Sequence, residues 1–126
     1  MLKNVFVAIV LGALALTSNA ALAHTDKPKP KHGGVVQAAS DLSFELVSKG
    51  DVATIYVEDH GKPFATAGMA GKLTVLNGTE KSEAELKPVG DNRLEAQGVK
   101  LLKGAKAVAT LTTPKKKTMT VRFAVK

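Results

Sequence analysis

Lys106-Ala107-Val108-Ala109-Thr110-Leu111-Thr112 and Thr118-Met119-Thr120-Val121-Arg122-Phe123-Ala124-Val125-Lys126 decide the fold class. In the second stretch Met119, Val121, Phe123 and Val125 share one face, and Thr120, Arg122, Ala124 and Lys126 share the other. In the first, Ala107, Ala109 and Leu111 alternate with Val108, Thr110 and Thr112. A period of two puts one face of a β-strand in a core and the other in water. Pro114 to Lys117 turns the chain between the two runs.

The same texture extends upstream. Leu42, Phe44 and Leu46 alternate with Ser43 and Glu45, which places Glu45 on a wet face, and Lys49-Gly50-Asp51 makes a turn. Ala53, Ile55 and Val57 alternate with Thr54, Tyr56 and Glu58 before the break Asp59-His60-Gly61-Lys62-Pro63. Leu73 and Val75 stop at Asn77-Gly78, read as a type I′ hairpin signal. Ala84 with Leu86, then Leu94 with Ala96, complete the pattern. No apolar stripe holds helical spacing for three turns beyond residue 24. About seven short strands at roughly ten-residue spacing predict an all-β chain, a small antiparallel sandwich, Ig-like or barrel-like.

The N-terminal end reads differently. Lys3, an apolar run from Val5 to Leu16 and a small-residue segment ending Ala21-Leu22-Ala23 have the layout of a secretory signal peptide. The apolar run is shorter than the ~20 residues that span a bilayer. The expected organisation is a signal peptide over 1–23 cleaved after Ala23, a flexible Lys/Pro arm over 24–34 and a β-sandwich over 35–126, in a monomer without a membrane span. The expected location is the periplasm.

Composition narrows the chemistry. The chain of 126 residues has no cysteine, which removes disulfides, thiol nucleophiles and cysteine-ligated metal. Its formal charge of +7 comes with one tyrosine, four phenylalanines and no tryptophan. That is too few aromatics for a base-stacking platform, so no nucleic-acid partner is expected. No serine sits in a nucleophile elbow and no glycine-rich phosphate loop precedes a helix, so the chain is not read as an enzyme.

The three histidines all lie outside the expected strands. His24 would open the cleaved chain, where its Nδ1 and the free α-amino group form a bidentate chelate suited to Cu(II). His32 precedes Gly33-Gly34, where absent Cβ atoms let backbone fold close to an ion or let the arm swing. His60 follows Asp59, which can accept from Nδ1–H and leave Nε2 as a ligand, although the same pair also makes an ordinary turn. Met69, in Ala67-Gly68-Met69-Ala70-Gly71, has no evident core duty and offers a soft thioether. Met119 keeps register with Val121 and Phe123 and is read as core.

His32-Gly33-Gly34-Val35-Val36, Phe44-Glu45-Leu46-Val47, the turn Asp59 to Pro63 and Leu73-Thr74-Val75-Leu76 together carry a resemblance. Over residues 32–126 the chain resembles the His-Gly-Gly-initiated N-terminal β-domain of heavy-metal-efflux adaptor (membrane-fusion) proteins, and the small free-standing periplasmic proteins that accompany them. The resemblance implies a β-sandwich-like fold and the handling of copper, zinc or related ions outside the cytoplasm, with His32 on the motif histidine. A second likeness, to periplasmic copper-resistance β-sandwiches whose mature chain begins with histidine, would add His24. The long hairpin and barrel of an adaptor are absent.

The resulting expectation is a periplasmic transition-metal buffer or carrier. Copper is the first choice and zinc the second, with His24, His32 and His60 as neutral imidazole ligands and a metal-efflux adaptor or other periplasmic protein as partner. The competing expectation is an interaction module without metal. It would dock an acidic protein or envelope surface through the lysine-rich arm and Lys115-Lys116-Lys117.

Overall fold

The computed structural model describes residues 29–126, so the expected signal segment and His24 lie outside the described residues. Nine antiparallel strands follow in chain order: β1 (Val35–Ala39), β2 (Leu42–Lys49), β3 (Val52–Asp59), β4 (Lys62–Pro63), β5 (Ala70–Asn77), β6 (Glu80–Pro88), β7 (Arg93–Gln97), β8 (Lys106–Thr112) and β9 (Thr118–Ala124). They hydrogen-bond in the order β1-β2-β3-β7-β6-β5-β8-β9, with β4 folded back on β3. The two ends of that order, β1 and β9, lie side by side without a ladder between them. The result is an all-β, nearly closed barrel-like sheet, and among the described residues there is no helix.

Burial follows the alternation. In β9 the inward set is Met119, Val121 and Phe123, and in β8 it is Ala107, Ala109 and Leu111. Phe44, Ile55, Leu73 and Leu94 meet them in one continuous core. A two-residue pairing of Lys87 with Glu95 and Pro88 with Leu94 joins the two halves of the sheet.

Two strands exceed the expected set. β1 reads Val-Val-Gln-Ala-Ala, without alternation, and β4 is only two residues long. Both exist because of their turns. Ser40 and Asp41, and likewise His60 and Gly61, have positive φ at both loop positions, as a type I′ hairpin requires. The Asn77-Gly78 signal is real but shifted by one residue. Asn77 still pairs with Glu80, so the loop is Gly78-Thr79. Only Gly78 has positive φ, the pattern of a type II′ turn rather than I′. Asn77 thereby stays in the strand, and its side chain bonds the Lys100 carbonyl and the Leu102 N–H.

Candidate functional site

Sequence alternation puts Glu45 on the wet side of β2, yet it is only 6% exposed. What covers it is the end of the N-terminal arm, laid across the outside of β2 and β3. The carboxylate accepts four hydrogen bonds. The N–H groups of His32 and Gly34 donate to Oε2, both at 2.8 Å, and the Lys31 N–H donates to Oε1 at 3.0 Å. The fourth comes from the His32 ring, whose Nδ1 lies 3.0 Å from Oε1. Residues 31–34 are therefore pinned to the barrel, although the sequence reads as a flexible arm up to Gly34.

Burial alone would push the Glu45 carboxyl up. The His32 ring and the N–H groups of Gly34, Lys31 and His32 outweigh it and hold the group below its ordinary value. An ionised carboxylate can only accept, so Nδ1 of His32 carries the proton. In the neutral ring Nε2 then keeps its lone pair, on the edge away from Glu45.

A second contact fixes the plane of that ring. Glu45 is paired directly with Tyr56 across β2 and β3, and the His32 ring stacks on the tyrosine with centroids 3.7 Å apart and planes 4° from parallel. His32 is thus held by a carboxylate at one edge and an aromatic face beneath, with its side chain 39% exposed.

The neighbouring residue ties the arm to the His60 turn. Lys31 Nζ lies 2.8 Å from Glu58 Oε2 and 3.4 Å from the Gly61 carbonyl oxygen. Beside it an open cleft of about 420 Å³ is lined by Lys29, Lys31, Asp41, Glu58 and His60 among others. His60 itself is 83% exposed, with Nδ1 2.5 Å from Asp59 Oδ1, the same carboxylate-on-Nδ1 arrangement as His32.

The remaining candidates fall elsewhere. Met69 is 3% exposed and packs in the core, which corrects its reading as a free thioether. Its loop turns inward because Thr66 is buried, donating its hydroxyl to the Arg93 carbonyl at 2.8 Å, and the Met69 N–H bonds the Thr66 carbonyl at 2.9 Å. Among the described residues no three His, Cys, Asp or Glu side chains converge as a metal cage would require. The Lys31 ammonium beside the His60 turn also raises the electrostatic cost of a cation there.

Glu45 and Tyr56 are the residues that strand patterning missed. A signal for them existed. With Gly50-Asp51 as a two-residue loop, four steps back from the Lys49–Val52 pair bring Glu45 opposite Tyr56. Nothing in the pattern of either strand says that the arm covers that pair. No protein-family model, curated protein or solved structure matches the chain.

Proposed function

We propose that this chain is an exported β-domain that binds a transition-metal ion, copper(II) first and zinc second, as a periplasmic buffer or carrier. The observation that supports the reading best is the carboxylate on Nδ1 of His32. Imidazole ligands of metals are regularly held this way: the acceptor on one nitrogen fixes the tautomer and raises the basicity of the other. His32 Nε2 is the anchor ligand. The ring and free α-amino group of His24 complete a chelate, and His60 Nε2 joins from the turn.

A site drawn partly from the segment before Lys29 accords with the absence of a three-donor cage among the described residues. An incomplete set of donors on the barrel suits an ion that is handed on rather than stored. Its partner would be a metal-efflux adaptor or another periplasmic protein. Neutral imidazoles are required, so binding weakens below about pH 6.5, the reference histidine pKa.

Cu(II) titration of four exported proteins tests the reading: the native chain, a chain with one residue added ahead of His24, His32→Ala and His60→Ala. The extension displaces the α-amino group from its chelate. Loss of a ligand should weaken binding at least about tenfold, equivalent to ~1.4 kcal/mol. Equal binding by all four, or none tighter than micromolar, overturns the metal reading. Docking of an acidic surface through lysines would then be the better account, and would fade with ionic strength where coordination does not.

A further inference from the structure

The end of the barrel opposite His60 carries two large apolar side chains in solvent, Leu102 at 55% exposure and Leu76 at 41%. Asn77, the residue after Leu76, ties the Leu102 backbone to this end of β5. Its Nδ2 donates to the Lys100 carbonyl at 3.0 Å, and its Oδ1 accepts from the Leu102 N–H at 3.3 Å. The loop is closed further by Ala105 N–H on the Leu102 carbonyl and Gly104 N–H on the Val125 carbonyl, both at 2.9 Å. Leu101 packs against the core while Leu102 is held out. Leaving a leucine in water forgoes apolar burial, and here the backbone around it is fixed by four hydrogen bonds.

Cations surround the pair. Leu76 is paired across the sheet with Lys81 on one side and Lys106 on the other, and in the next row Val108 pairs with Arg122. These residues line a shallow, mainly apolar groove of about 350 Å³. Lys103 follows Leu102 in the loop. The nearby carboxylates are partly committed, Glu83 to Lys72 and Lys81, and Asp51 to Lys100, with Glu80 beside the hairpin. Lys103, Lys106 and Arg122 have no ion-pair partner among the described residues.

We propose that this end of the barrel docks on a bilayer surface bearing anionic lipids, with Leu102 and Leu76 entering the headgroup layer and Lys103, Lys106 and Arg122 facing the phosphates. Charge complementarity argues for that partner, and the apolar contact is an exposed loop leucine with a strand leucine in a shallow groove rather than a deep cleft. An apolar pair with a cationic skirt matches a flat interface that is apolar below and negative above. Orientation follows as well. β3 runs from the Gly50-Asp51 turn, bonded to Gly98 N–H, to His60 at its far end, about 23 Å for eight residues at strand rise. Seated this way, the barrel turns its histidine end away from the bilayer. The proposal does not depend on metal binding.

Sedimentation of the exported, full-length mature protein with vesicles tests it, comparing equimolar phosphatidylglycerol and phosphatidylcholine with phosphatidylcholine alone. The protein should pellet with the anionic vesicles and stay in solution with the neutral ones. Added salt should weaken the association. Lys106→Glu should lower partition at least about fivefold, since one basic residue near an anionic surface is worth about that factor. Leu102→Ser, which keeps its tethered N–H, should weaken partition roughly threefold or more. Lys115→Glu, at the other end of the β8–β9 hairpin, should leave it unchanged. Equal partition to both vesicles, no partition to either, indifference to Leu102→Ser and Lys106→Glu, or an equal loss in Lys115→Glu would each overturn the proposal. Circular dichroism of each variant confirms that the β fold is intact.

Discussion

Glu45 and His32 are joined twice, through the backbone N–H at 2.8 Å and through the ring Nδ1 at 3.0 Å, so one carboxylate holds both the main chain and the side chain of a single residue. Two further N–H groups, from Lys31 and Gly34, complete its acceptor capacity. The link is between an arm that strand patterning leaves out of the barrel and a residue that it assigns to solvent. It decides where the arm ends and which nitrogen of His32 is available.

Removing that carboxylate should destabilise the whole domain. Glu45→Ala leaves three partly buried N–H donors and a ring donor without an acceptor, and orphaned donors cost about 1–3 kcal/mol. Glu45→Gln should be little better, because its amide group turns N–H atoms toward donors already in place. Urea unfolding of the two variants should give a loss of roughly 2 kcal/mol or more in each. A loss under about 0.5 kcal/mol would show that the arm is not anchored there.

The same residue gives acid stability a predictable sign. Glu45 has a folded pKa below its ordinary value of 4.5, so folding favours the ionised form. Its contribution is complete above that ordinary value and is lost as pH falls through the lower folded one. Between neutral pH and about 4.5 the Glu45 contribution should be flat. Below that range the wild type should lose stability more steeply than Glu45→Ala, as read from urea midpoints across the acid range. Parallel curves would remove Glu45 as the cause.

Core packing was the most legible part of the molecule. Phe123 is 3% exposed, whereas Thr120 faces solvent from the same strand. Phe123→Ala should cost roughly 3–5 kcal/mol, as large aromatic truncations do. Thr120→Ala should stay within about 0.5 kcal/mol. Thermal or urea unfolding of the pair checks both, and comparable losses would mean that the strand faces are reversed.

That contrast shows what local pattern can and cannot reveal here. β8, β9 and β3 alternate cleanly because each has one face in the core, so a period of two exposes their inward residues. β1 escapes because Val35 and Val36 are both half-buried while Gln37 and Ala38 are both exposed, so neither of its faces is uniformly apolar. Met69 escapes because a glycine-rich loop can carry a core side chain when a buried threonine pulls it inward. At the site, His32 and His60 were visible as histidines beside glycine. The Glu45–Tyr56 platform was not, since it depends on strand register and on an arm folding over it. Asn77 illustrates the same limit: its hairpin was legible, its hold on Lys100 and Leu102 was not.

The two glycines after His32 serve different ends, and substitution should separate them. Gly33 has φ +77° with open space where a Cβ would stand, so its need is conformational. Gly34 has no such φ, but a Cβ there would lie 2.2 Å from the Leu46 carbonyl oxygen. Gly33→Ala should cost about 1–2 kcal/mol for a left-handed backbone. Gly34→Ala should cost more, because relief requires moving the start of β1 or breaking the Gly34 bond to Glu45. Chemical denaturation of both variants decides the order, and a milder Gly34→Ala would mean that the arm is seated differently.

The tautomer of His32 can be read directly in the metal-free protein. Because Glu45 is an acceptor only, it demands a proton on Nδ1, against the Nε2–H form that free imidazole side chains favour in water. Above the histidine titration range, long-range nitrogen–proton NMR correlations should therefore place the proton of His32 on Nδ1. In Glu45→Ala the signals should move toward the Nε2–H form. Tyr56→Phe, which keeps the ring face, should retain the wild-type tautomer. Cu(II) affinity should follow the same order, weakened by Glu45→Ala and kept by Tyr56→Phe. An Nδ1–H tautomer without copper binding would leave the anchoring geometry standing and sink the metal reading. Copper binding by a protein whose His32 carries its proton on Nε2 would do the reverse, since the lone pair would then have to come from the nitrogen that faces Glu45.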